Sequence, residues 1–139
     1  LILCTRIYKA QRSYTALAHE QVDVVREFHY LVETHFRSMH GVAEYAELLH
    51  RSPKTLANLF AQLGKRSPLK YVQERIMLEA RRLIRYSDRP MKDIADELGF
   101  QDVQSFSRFF KTQEGASPSE FRTAGSIANS SGTPVYQGP

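Results

Sequence analysis

The feature that most constrains this chain is a pattern that occurs twice. Leu56, Leu59, Phe60, Ser67, Pro68 and Tyr71 recur as Phe106, Phe109, Phe110, Ser117, Pro118 and Phe121, each pair fifty residues apart. Tyr45-Ala46 and Ile94-Ala95 match at an offset of 49, so the second copy carries one extra residue in its turn. Two copies are too few for a solenoid, which needs about three repeats to bury a continuous core. They are enough to specify one helix-turn-helix unit used twice.

Apolar spacing and capping residues place the helices. Val42, Tyr45, Ala46, Leu48 and Leu49 line one face of a two-turn helix. Ser52 can cap the next helix, with Pro53 at a position that needs no N–H; its stripe is Leu56, Leu59, Phe60 and Leu63, and Gly64 ends it. Ser67-Pro68 repeats the start signal for a long helix with the stripe Leu69, Val72, Ile76, Ala80, Leu83 and Ile84, stopping near Ser87-Asp88. At 1.5 Å per residue such a helix is a rod of about 30 Å. A short helix then buries Ile94, Ala95 and Leu98 and ends at Gly99. A helix of about ten residues follows with Phe106, Phe109 and Phe110, closed by Gly115. Ser117-Pro118-Ser119-Glu120 has the capping-box pattern and launches a last short helix through Phe121. Upstream, Val22, Val25, Phe28, Leu31, Val32 and Phe36 predict one amphipathic helix from Glu20 to His40, whereas Leu1 to Ala18 reads equally as helix or irregular chain.

The expected fold is all-α, with two helix-turn-helix subdomains joined by a long linker helix. Residues 1–40 read as the tail of an upstream domain plus a connecting helix, residues 41–122 as the paired units. From Thr123 onward Gly, Ser, Pro and Asn dominate, so residues 123–139 read as a poorly packed extension.

Composition narrows the class. With 42% hydrophobic and 24% charged residues the chain is globular, and without tryptophan its large core volume must come from 8 Phe and 7 Tyr. No apolar run approaches the ~18 residues of a membrane span, and Leu1-Ile2-Leu3-Cys4 is too short for the core of a signal peptide. The single Cys4 can form no internal disulfide, which fits a reducing cytoplasm. Beginning at Leu1, the sequence is expected to start inside a longer protein. The formal charge is +4; residues 41–122 hold 14 Lys and Arg against 11 Asp and Glu. Any polyanion-binding surface must therefore arise from the placement of charges rather than their number.

The run from Val42 to Arg122 resembles the AraC/XylS family of bacterial regulators. Its most specific part is Ile94-Ala95-Asp96-Glu97-Leu98-Gly99-Phe100, then Phe106-Ser107-Arg108-Phe109-Phe110-Lys111, then Gly115-Ala116-Ser117-Pro118-Ser119-Glu120-Phe121-Arg122. The first copy departs at its turn: Gly64 lies one place earlier than the family usually has it, with Lys65 in the usual glycine position. The resemblance implies a cytoplasmic bacterial transcription regulator that binds double-stranded DNA and is not an enzyme. It implies RNA polymerase as a partner if the protein is an activator. It further implies an upstream sensor or dimerisation domain, so that this fragment is monomeric while the full-length protein can dimerise. No cofactor is expected.

A helix-turn-helix needs a small residue where its two helices cross, a role that suits Ala46 and Ala95; the second helix then offers its unburied face to a major groove. Those positions are Lys54, Thr55, Ala57, Asn58 and Ala61 in the first unit, and Val103, Gln104, Ser107, Arg108 and Lys111 in the second. Carried over by register, the resemblance implies base contacts from Lys54, Thr55, Asn58, Val103, Gln104, Ser107 and Arg108. Arg can grip guanine with two hydrogen bonds, Asn or Gln can do so with adenine, and Val103 can meet a thymine methyl. Phosphate contacts are expected from Lys65, Arg66 and Lys111, and from the helix N-termini at Ser67 and Ser117, where free N–H groups and the dipole favour an anion. The arginines of the long helix, Arg75, Arg81, Arg82 and Arg85, read more simply as surface ion-pair partners.

Other chemistries lack their residues. His19, His29, His35, His40 and His50 follow neither HExxH nor zinc-finger spacing, and no second Cys exists. Gly64-Lys65-Arg66-Ser67 resembles the end of a P-loop, but Leu59 stands where the upstream glycine belongs. No G-x-S-x-G occurs. One alternative from another class stays open at this level: an all-helical protein–protein module whose phenylalanines merely pack a bundle. It explains the apolar stripes but not the duplicated register of small and capping residues.

Overall fold

A computed structural model of the chain describes the backbone of residues 2–130 and the side chains of residues 16–126. Among the described residues there are seven helices and no strand: α1 (Ile2–His35), α2 (Val42–Leu48), α3 (Pro53–Gln62), α4 (Pro68–Tyr86), α5 (Met91–Glu97), α6 (Val103–Glu114) and α7 (Pro118–Ser130). The fold is all-α, with two helix-turn-helix units, α2–α3 and α5–α6, separated in sequence by the 19-residue α4. The chain divides into two compact units, and the division falls inside α4, between Gln73 and Glu74.

The first unit is built around Phe28. Its ring stands edge-on to Phe60 at 5.1 Å and to Tyr45 at 5.5 Å, with Tyr71 at 5.9 Å. Pairs in such geometry contribute about 0.5–1.5 kcal/mol beyond the area they bury. Val25, Val32, Phe36, Ala46, Leu56 and Val72 are among the residues buried with them. The expected connecting helix thus supplies the centre of this core, whose packing begins N-terminal to Gly41. The Tyr45 hydroxyl donates to the Met39 carbonyl at 2.8 Å; burial pushes its pKa up to about 12.

In the second unit phenylalanines from three segments form a chain of rings: Phe100 to Phe106, Phe106 to Phe110, and Phe110 to Phe121, with centroids 5.4–6.0 Å apart. Ile94, Ala95 and Leu98 are fully buried beside Phe106 and Phe110, as are the α4 residues Ala80 and Ile84 to within 1%. Arg122 fastens the end of α4. Its guanidinium donates to the carbonyls of Ile84, Ser87 and Arg89 at 3.1, 3.3 and 2.9 Å.

Several boundaries differ from the sequence expectation. The upstream helix starts far earlier, at Ile2, and stops at His35; Met39 N–H closes its end on the His35 carbonyl at 2.8 Å. The last helix does not stop at Phe121 but continues to Ser130. Its hydroxyls turn back onto its own carbonyls, Thr123 to Ser119 at 3.0 Å and Ser126 to Arg122 at 3.2 Å, and Gly125 lies against the Arg85 side chain. Residues 131–139 of the expected extension lie outside the described residues. Three stripe positions, Val22, Leu48 and Leu69, are exposed by about 45% each, whereas Val24 and Pro68, outside the expected stripes, are buried.

Candidate nucleic-acid interface

The second helix of each unit is started by a side-chain cap at the same place in the repeat. Ser52 Oγ accepts from the Thr55 N–H at 3.1 Å before α3, and an Asp102 carboxylate oxygen accepts from the Ser105 N–H at 2.7 Å before α6. That backbone hydrogen bond holds the Asp102 carboxyl below the usual carboxylate range, with the Arg108 charge adding to it. Asp102 was not anticipated as a cap, although it stands fifty residues after Ser52. The helices end on glycines in the left-handed region, Gly64 at φ +64° and Gly115 at φ +88°.

With its buried side formed by Leu56, Leu59 and Phe60, α3 leaves Lys54, Thr55, Ala57, Asn58 and Ala61 exposed. On α6, Phe106 and Phe110 are buried, Gln104, Arg108 and Lys111 are exposed, and Val103 and Ser107 are half-buried. The seven residues expected to contact bases therefore all lie off the core side of their helices. They are not equally available. The Thr55 hydroxyl is 2.7 Å from Ser52 Oγ, inside the cap. Thr55 and Asn58 also border a groove of about 340 Å³ that separates α3 from the Leu17–Val24 stretch of α1.

The two expected phosphate seats differ in charge. At the start of α4, Ser67 Oγ accepts from the Lys70 N–H at 3.3 Å, no acid occupies the first turn, and Lys65, Arg66 and Lys70 are exposed around it. At the start of α7 the matching position is Glu120, and its carboxylate accepts the Ser117 N–H at 2.9 Å. That hydrogen bond, with Lys111 nearby, keeps the Glu120 carboxyl below its usual range. The Ser117 amide is thus already occupied by an internal anion, while the seat at Ser67 is basic. Of the α4 arginines, Arg81 pairs with Glu114 at 2.7 Å and Arg82 with buried Glu79 at 2.6 Å, whereas Arg85 lies over the Phe121 ring at 4.7 Å.

A family model described as a helix-turn-helix domain matches residues 45–124. The arabinose operon regulatory protein of Escherichia coli K12 is 34% identical over 99 residues, covering 70% of this chain and 34% of that protein. The DNA-binding domain of AdpA, a global transcriptional factor solved in complex with a target DNA, superposes with a TM-score of 0.64 at 26% identity, covering 81% of this chain and 97% of that one. An AraC-type transcriptional regulator from Chromobacterium violaceum gives a TM-score of 0.62 at 26% identity, covering 78% and 96%. The chain belongs to the AraC family. It spans about a third of the length of the curated relatives it matches. As an AraC-family chain it carries a DNA-binding helix-turn-helix domain, which removes the reading of the phenylalanine repeat as a mere protein–protein bundle. Among the described residues no helix is long and apolar enough to cross a membrane.

Two polar side chains of this AraC-family chain were passed over in the sequence. Arg122 closes the family motif without an assigned role, yet it ties down three carbonyls. Arg51 sits beside the α3 cap and pairs with Glu20 at 2.9 Å, 31 residues earlier. No periodicity could have revealed that pair, because it joins the turn between α2 and α3 to the solvent-exposed side of α1.

Proposed function

We propose that this protein is a sequence-specific transcription regulator that inserts α3 and α6 into successive major grooves of one asymmetric DNA site. The observation that carries the reading is the pair of equivalently capped helices with unlike polar faces off their core sides. Lys54, Thr55 and Asn58 belong to one; Val103, Gln104, Ser107 and Arg108 belong to the other. Arg108 and Gln104 suit guanine and adenine edges, and Val103 suits a thymine methyl. The first face is poorer in hydrogen-bonding groups, since Ala57 and Ala61 interrupt it. The second unit is therefore assigned the larger share of polar base contacts.

Phosphates are assigned to Lys65, Arg66 and the helix start at Ser67, with Lys111 serving the second unit. Ser117 contributes less, because Glu120 already accepts its N–H. One chain then reads both half-sites without a partner, and RNA polymerase becomes a further partner if the full-length protein activates transcription. Selection of bound duplexes from a random pool by this chain tests the reading. Enrichment of a defined motif supports it, and binding with no sequence preference sinks it.

A further inference from the structure

The two units differ sharply at the residue that follows the turn. In the second unit this residue is Phe100, whose ring packs on Phe106 and Phe109 at 5.4 and 5.3 Å. Its counterpart in the first unit is Arg51, which leaves the α2–α3 pair altogether. The Arg51 guanidinium donates to Glu20 Oε1 on α1 at 2.9 Å. On the next residue of α1, Gln21 Nε2 donates to Gln62 Oε1 at the far end of α3, at 3.2 Å. Between these two ties runs the groove bordered by Thr55 and Asn58. The stretch around Glu20 thus lies along one flank of the first recognition helix and sets a carboxylate beside it.

The Arg51–Glu20 pair is solvent-accessible, with side chains 37% and 59% exposed. Exposed pairs contribute little, so the partner of Arg51 is readily exchanged. Arg51 also directly precedes the Ser52 cap, at the edge of the reading face, where the phosphates that border a groove are met. A guanidinium matches a phosphodiester in the same two-pronged way that it matches a carboxylate.

We propose that Arg51 is a DNA-phosphate ligand held in reserve by Glu20, so that the N-terminal part of α1 competes with DNA for the first recognition helix. The proposal rests on the DNA reading of α3 given above. Bound DNA takes Arg51 from Glu20 and leaves that carboxylate unneutralised at the edge of the duplex. Affinity then depends on where this part of α1 is held, which makes it a point of control for whatever precedes it in the chain.

The test is a double-mutant cycle on the full 139-residue chain, with Glu20→Gln, Arg51→Ala and both together, using a duplex recovered from the random pool and a scrambled control. Melting curves confirm that the variants fold, both side chains being exposed. Glu20→Gln is expected to tighten binding to both duplexes about twofold to fivefold and to steepen the salt dependence. Arg51→Ala is expected to weaken binding several-fold with a slope shallower by about 0.9, and in its background Glu20→Gln should give a clearly smaller gain. An undiminished gain in that background would overturn the proposal, since Glu20 would then act without Arg51. Weaker or unchanged binding by Glu20→Gln, while Arg108→Ala still loses affinity for the recovered duplex, would overturn it and leave the DNA reading standing. Absence of DNA binding by the parent chain would remove both.

Discussion

His50 and Gly99 occupy the same place in the two units, and both are held with positive φ, at +53° and +82°. Each is followed by a residue whose N–H returns to the small residue of the preceding helix: Arg51 to the Ala46 carbonyl at 2.9 Å, and Phe100 to the Ala95 carbonyl at 3.0 Å. The turn geometry is therefore duplicated while the residue suited to it is not. A Cβ in the left-handed region costs roughly 1–2 kcal/mol, partly offset because glycine loses more freedom on folding. His50→Gly should accordingly stabilise the chain by about 0.5–1 kcal/mol, and Gly99→Ala should destabilise it by about 1 kcal/mol or more. Urea unfolding of the two variants checks this through the opposite signs of the midpoint shifts.

Arg122 should be intolerant of replacement even by lysine. Its planar fork serves three carbonyls that leave α4 and the following loop in different directions, a geometry that one ammonium cannot reproduce. Arg122→Ala and Arg122→Lys should both lose about 2–3 kcal/mol, judged from hydrogen bonds made by a charged donor. Recovery of most of the stability by lysine would show that only the charge matters here.

The repeat explains how much of the fold was legible. Ala46, Ala95, Leu56, Phe106, Phe60 and Phe110 are all buried to 1% or less, where equal spacing places them. Such residues are readable because burial imposes a period on the sequence. The same logic fails at helix ends, where Leu48 and Leu69 fit a stripe but project past the core. It fails for α7 beyond Phe121, where Gly, Ser and Thr leave no apolar period to read; their hydroxyls bond back to carbonyls of the same helix, and Gly125 lies against Arg85. The candidate reading faces were legible because they are what the stripes leave over. The Asp102 cap, the closure of Ser117 by Glu120 and the Arg51–Glu20 tie were not, since each is a polar contact with no periodic signature.

Acidification should weaken the fold in two separate windows. The His29 ring stacks on Tyr71 at 4.2 Å, and burial, with Lys65 nearby, lowers its pKa from the ordinary 6.5. The unfolded chain therefore takes up the proton first, so the contribution of His29 is fully present above pH 6.5 and is lost as the pH falls through the lower folded value. A second loss follows further down, because Asp102 and Glu120 have folded values below 3.8 and 4.5. Urea midpoints measured from pH 7.5 to 5 should slope for the parent chain and flatten in His29→Gln. An unchanged slope would remove His29 from the account.

Reading and holding should separate by mutation. Arg108→Ala is expected to lose about 1–3 kcal/mol on the preferred duplex and to relax preference at one or two base pairs. Lys65→Ala should weaken preferred and scrambled duplexes alike and make the salt slope shallower by about one unit. Quantitative binding to both duplexes at several salt concentrations distinguishes them. Identical behaviour of the two variants would mean that base and phosphate roles are wrongly divided between these residues.

The central claim is that one chain reads two unlike half-sites, and hydroxyl-radical footprinting of the selected duplex, at a stoichiometry fixed by sedimentation, tests it most directly. The account predicts one chain per duplex and two dissimilar conserved blocks centred about ten base pairs apart on one face of the DNA, the spacing of successive major grooves. A single protected block, or a palindrome occupied only by two chains, would contradict it.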